Sequence, residues 1–238
     1  STESVTSAET SQVTNLNDAP TGTVTISGTA TEDEVLTASH TLADEDGMGP
    51  VNWQWNRAGA AIDGATGSTY IATQADVGQQ LSVTASYTDA PLNNTGSTES
   101  VTSAETSQVQ NINDVPSVTG TDHALEFTEE APAAIIDGSL VLVDPDNTTL
   151  QRATVQISNG LISSEDVLSF TATEEITGTY NTVAGTLILS GQASLESYRS
   201  ALESVRYQNT NPENPSTDDR TVTWIINDGL ADSAPATS

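Results

Sequence analysis

The sequence predicts an all-β protein: two β-sandwich domains in tandem, stacked end to end, with one short helix in the second. Three observations lead there. First, "STESVTSAETSQV" at residues 1–13 returns unchanged at residues 97–109. With the following "TNLNDAP" and "QNINDVP", 17 of 20 positions agree at an offset of 96 residues. That period is too long for a solenoid unit and suits one sandwich domain of about 100 residues. Second, apolar and polar residues alternate with period two in short β-branched runs separated by Gly, Asp and Asn. Third, helical spacing occurs once, in "ASLESYRSALESV", where Leu195, Tyr198, Leu202 and Val205 share a face.

The duplication sets the boundaries. Residues 1–19 read as the closing strand and linker of a preceding repeat, 20–113 as one sandwich, and 114–238 as a second of different subtype. The register is lost after Pro116. In the first domain, strands are expected over 23–28, 34–41, 51–57, 68–72, 80–88 and 99–110, with a short one near 60–64. Val51, Trp53 and Trp55 fall on one face and should point inward. In the second, "SLVLV", "ATVQIS", "VLSFT", the hairpin "ITGTY"/"TLILS" and "TVTWIIND" read as strands, and "ADSAPATS" as a final strand cut short. The helix should pack on the core.

Composition excludes several function classes. Against 33 acidic residues stand five basic ones, all arginine, for a net charge of −28. Such a surface repels nucleic acid and anionic membranes. No apolar run is long enough to span a bilayer. Cysteine is absent, so no disulfide staples the domains, and a metal is the usual substitute. The acidity itself is open to three readings: solubility, adaptation to salty water, or binding of divalent cations.

Strand parity separates these readings by placing the acids. With Asn15, Asn17 and Asp18 of the first linker at one pole of the first domain, the 42–49 loop (Asp44, Asp46) and Asp89 join them. The turn carrying Glu32, together with Asp76, falls at the opposite pole, where the second linker (Asn111, Asn113, Asp114) leaves. In the second domain Asp144, Asp146 and Asp228 face that linker, and Glu129 and Glu130 lie at the far pole. End-to-end stacking would therefore gather Glu32, Asp76, Asn111, Asn113, Asp114, Asp144, Asp146 and Asp228 at one junction. Carboxylate and amide oxygens in such number suit Ca2+, which takes about six to eight oxygens. Zn2+ would call for His or Cys, and only His40 and His123 exist. Mg2+ keeps more of its water.

The motifs carry a family resemblance. "NLNDAP" and "NINDVP" resemble the inter-domain calcium linker of cadherins, although Ala19 and Val115 stand where that linker has a further acidic or amide residue. The core Trp and the Asp76-Val77-Gly78 corner resemble immunoglobulin-like domains without their cysteines. The layout of Ig-like and cadherin-like repeats resembles the extender region of giant bacterial RTX-type adhesins. The resemblance implies a secreted, cell-surface protein of many tandem domains, monomeric, with neighbouring repeats of its own chain as partners. It also implies calcium at each junction and a spacer role that projects a distal binding module for adhesion or biofilm formation. A glycan- or protein-binding module is the alternative, with Trp224 or Tyr180 as a sugar platform. No enzyme is expected: no Gly-x-Ser-x-Gly motif occurs, and neither His sits in a constellation. An ice-binding face would need longer threonine ranks than "TGTVTISGT" supplies.

Overall fold

A computed structural model of the chain describes residues 1–11, 16–89, 96–120 and 124–238. The described residues are predominantly β-structure with a single α-helix and form two compact units, Ser1–Ile112 and Asn113–Ser238.

Unit 1 contains β1 (Val24–Ser27), β2 (Val35–His40), β3 (Asn52–Arg57), β4 (Ala60–Ala61), β5 (Thr69–Ile71), β6 (Leu81–Thr88) and β7 (Thr98–Thr102). They form two antiparallel sheets, β1-β2-β5 and β4-β3-β6-β7. The period-two pattern decides which side faces in. Leu36 and Ala38 of β2 are buried between exposed Thr37 and Ser39, and Leu81, Val83, Ala85 and Tyr87 of β6 are all buried. Trp55 is fully buried, stacks on Tyr70 with ring centroids 5.5 Å apart, and donates its indole N–H to the Gly67 carbonyl at 2.9 Å. Val51 and Trp53 share its face and sit half-buried at the core's edge. The β3–β4 hairpin turns through Ala58 and Gly59, both at positive φ (47° and 80°). That is the mirror-image turn that matches strand twist and favours glycine.

The closing strand departs from the expected 99–110. The regular ladder stops at Thr102 because side-chain hydroxyls take over its bonding. Ser103 Oγ accepts the Val83 amide and Thr106 Oγ1 the Leu81 amide, each at 3.0 Å. The chain still follows β6 to Val109, which is buried.

Unit 2 contains β8 (Ser117–Thr119), β9 (Ala134–Ile135), β10 (Val141–Val143), β11 (Thr149–Asn159), β12 (Asp166–Ser169), β13 (Thr177–Asn181) and β14 (Thr186–Ser194), then helix α1 (Leu195–Glu203). After it come β15 (Arg206–Asn209), β16 (Thr221–Asn227) and β17 (Ala236–Thr237). The main sheet runs β13-β14-β11-β16-β17, with β12-β15-β9 and β10-β8 as smaller sheets. Helix α1 is capped by Ser194, whose hydroxyl accepts the Ser197 amide at 3.0 Å. It buries Tyr198, Ala201 and Leu202, a core-packing role. Trp224 and Tyr180 belong to this core and do not form a surface platform: Trp224 is fully buried, and Tyr180 packs against the core and donates to the Asp166 carbonyl at 3.0 Å.

Candidate metal sites at the linker poles

In unit 1 the linker and the 42–49 loop meet. Asp44 folds its own loop, its Oδ1 accepting the Asp46 amide at 2.9 Å, an Asx turn. Its Oδ2 accepts the hydroxyl of buried Tyr87 at 2.6 Å. Asp46 reaches the linker, its Oδ2 accepting the Asp18 amide at 2.7 Å. Asn17 donates to Glu99 at 2.9 Å. Asp89, at the end of β6, is buried at 5% exposure, and its Oδ1 has no hydrogen-bond partner among the described residues. Burial first, and then the charges of Asp44, Glu99 and Asp46, push the Asp89 carboxyl above its ordinary range. Burial, with Asp44 beside it, likewise pushes the Tyr87 hydroxyl up.

Unit 2 repeats this arrangement at its own linker. Asp144 Oδ1 accepts the amides of Asp146 (3.0 Å) and Asn147 (2.8 Å). Asp146 Oδ2 accepts the Asp114 amide in a short bond, as Asp46 does for Asp18. Carboxylate oxygens of Asp114 and Asp146 lie within 4.8 Å of each other. Asn113 donates to Asp228 at 2.9 Å, as Asn17 does to Glu99, and its Oδ1 takes the Asn147 side chain at 3.4 Å. Asp228 is buried, which works to raise its pKa, but the amides of Ala231 and Leu230 and the Asn113 side chain hold it below the ordinary carboxylate range. Asp144 Oδ2 and Asp146 Oδ1 have no hydrogen-bond partner among the described residues.

Glu32 is buried in unit 1 and its carboxylate accepts the Ile112 amide at 3.3 Å; Asn111, which precedes Ile112, is exposed. Asp76 is a buried structural group. Its Oδ1 accepts Arg57 Nε at 2.6 Å, and its Oδ2 accepts the Tyr70 hydroxyl and the Thr73 amide, each at 2.8 Å. Burial works to raise its pKa, but Arg57, Thr73 and Tyr70 together hold it below the ordinary range. These bonds leave it little capacity for a cation. Glu129 and Glu130 occupy the turn closed by the Ala131 amide on the Thr128 carbonyl (3.0 Å), and Glu130 lines a cavity of about 300 Å3 with residues 208–212. Asn15 lies outside the described residues.

Two participants were not picked out from sequence, Tyr87 and Glu99. They are cross-strand partners in the β6–β7 register, so parity carried to β7 would have placed Glu99 near Asp89.

The donor set at both poles consists of carboxylate and amide oxygens with no thiol or imidazole, which suits a hard cation. Among the described residues, arginine ion pairs go to Asp166, Asp232, Glu196, Glu203 and, of the sequence candidates, Asp76, whereas the charges that act on Asp89 are the carboxylates of Asp44, Glu99 and Asp46. Asp89→Asn is therefore expected to act in opposite directions. It should raise the melting temperature in chelator, by removing a buried repelling charge, and reduce the gain that calcium gives. Paired melts with calcium and with EGTA check this; a lower melting temperature in EGTA contradicts the repulsion.

No family model matches the chain. It is similar to "Halomucin" of Haloquadratum walsbyi, 31% identical over 118 residues. The match takes in 48% of this chain and spans about 1% of that protein's length, so the similarity is to a small segment of a very long protein. Among the described residues, no helix is long and apolar enough to cross a membrane.

Proposed function

We propose that the chain is a calcium-stabilised spacer of a very long, secreted cell-surface protein of the adhesin type, holding a distal binding module away from the cell. Its role is structural and not enzymatic. One observation carries the reading: two sandwiches of unrelated register build the same linker pole, with Asn-Asp of the linker clamped by Asp-x-Asp and carboxylate oxygens left unbonded. A cation there fixes each linker to the unit it leads into, and tandem repetition of such joints makes a stiff rod. The similarity to a segment of a very long protein supports a repeated module. The net charge of −28 fits a surface that works in salt, where the Debye length is short and self-repulsion is screened.

Extracellular modules bind Ca2+ with Kd of roughly 10⁻⁴–10⁻³ M, so the sites fill outside the cell and stay empty in the cytosol. At 100-fold excess over Kd, one site stabilises its unit by about 2.7 kcal/mol. Thermal melting and small-angle scattering in calcium and in EGTA test this. The expected result is a melting temperature several degrees higher and a narrower spread of chain dimensions in calcium. Identical melts and identical scattering in the two buffers would sink it.

A further inference from the structure

The main sheet of unit 2 ends on β13, whose outer edge has no partner strand among the described residues. No main-chain bond from outside the sheet reaches Thr177–Asn181 among those residues, and all but Tyr180 are exposed. Edge strands are usually guarded by a charge, a proline, a bulge or very short length. β13 has none of these: "TGTYN" is uncharged and proline-free, and it pairs with β14 in unbroken register from Thr177↔Ser190 to Asn181↔Thr186. The other five-residue edge strand, β7, carries Glu99. In a chain of net charge −28, neither β13 nor β14 beside it carries a carboxylate.

Charge lies at one end of this edge only. Glu174 and Glu175 precede β13 and are exposed, whereas the 182–185 turn that follows is uncharged, with Val183 81% exposed.

We propose that β13 is a pairing edge for a second copy of this chain, joined antiparallel about a two-fold axis at Thr179, so that two five-stranded sheets become one of ten strands. The placement of charge selects this arrangement. The axis sets Glu175 opposite Val183 of the second copy and holds the two Glu175 residues eight positions apart along the strands, about 27 Å. That exceeds the Debye length of about 8 Å at physiological salt. Parallel in-register pairing would instead put Glu175 beside Glu175 at one strand spacing, about 4.8 Å, where like charges repel.

Side chains fit the same axis. Thr179 meets Thr179 of the second copy on the outer face, and Tyr180 lies opposite Gly178 of the second copy on the inner side. Gly178 is bare because the Phe170 ring fills the space of a side chain; a Cβ there would lie 2.2 Å from the ring. No bulky pair therefore meets across the axis. Such an isologous contact closes on itself and gives a dimer, not a filament. Its affinity comes from main-chain bonds over a small area, so pairing is weak and concentration-dependent.

The absence of cysteine supplies the test. Single cysteines are placed in the full chain at Thr179, Asn181 or Val183, all exposed, and oxidised mildly in calcium buffer at rising protein concentration. A disulfide needs Cα atoms within about 7 Å. Across the axis only Thr179→Cys meets its counterpart; the two Asn181→Cys positions stand about 14 Å apart along the strands. Thr179→Cys is expected to cross-link about tenfold faster than either control, and an equal mixture of Thr177→Cys and Asn181→Cys faster than each alone. Thr179→Glu, which sets like charges face to face, should stay monomeric in sedimentation at concentrations where the unaltered chain pairs. Equal cross-linking rates at the three positions, or an unaltered chain that stays monomeric at every concentration, overturn the proposal and leave the edge to some other strand.

Discussion

Arg220→Ala should destabilise unit 2 by about 3–5 kcal/mol, the cost of leaving a buried carboxylate without its cation. Asp166 is fully buried and Arg220 nearly so. The guanidinium binds both carboxylate oxygens at 3.2 Å, while the Tyr207 hydroxyl donates to Oδ1 at 2.7 Å and the Ile162 amide to Oδ2 at 2.7 Å. Burial, with the Asp166 bond next, pushes Tyr207 up to about 12, so its hydroxyl stays a donor. Arg220 also holds the preceding loop through the Ser216 carbonyl at 3.0 Å. Urea unfolding followed by Trp224 emission measures the loss. Replacing both partners, Asp166→Leu with Arg220→Met, should cost much less than Arg220→Ala, because no charge is then stranded. Equal losses would place the stability in packing and not in the ion pair.

Trp55→Ala should cost unit 1 about 3–5 kcal/mol, through lost transfer energy plus the cavity left behind. Trp55 bridges the two sheets, stacked on Tyr70 and packed among Leu36, Leu81 and Val83 in one cluster. Its indole bond to Gly67 is lost as well, which leaves that carbonyl to find water. Trp55→Phe should recover most of the packing and lose that bond, at a cost nearer 1 kcal/mol. Denaturant melts of the variants check the order. A Trp55→Ala loss under 1 kcal/mol would mean the sheets close over the gap.

These two sites differ in how openly the sequence announces them. Trp55 is legible because strand alternation needs only local pattern: residue types at period two, bounded by turn residues, give both the strand and its inward face. The same logic found the seven strands of unit 1 and helix α1. The Arg220–Asp166 pair is not legible. Its partners are 54 residues apart, and nothing local distinguishes Asp166 from a solvated acid. Asp76 shows the same limit from the other side. Parity places it at a pole, but only the fold shows that Arg57, Tyr70 and Thr73 already satisfy it. The short strands β8, β9 and β15 also escaped the pattern, since two to four residues carry too little periodicity to stand out. Asp-x-Asp next to Asn-Asp was readable as a donor set. What the structure adds is that the same clamp is built twice, and that Tyr87 and Glu99 belong to it.

The most direct test of the calcium reading is diffraction from crystals grown with calcium, with terbium substituted to give an anomalous signal. The account predicts a peak among Asp18, Asp44, Asp46 and Asp89 and another among Asn113, Asp114, Asp144 and Asp146, with oxygen distances of about 2.3–2.6 Å in the calcium form. Well-ordered poles with no peak at saturating metal would contradict it.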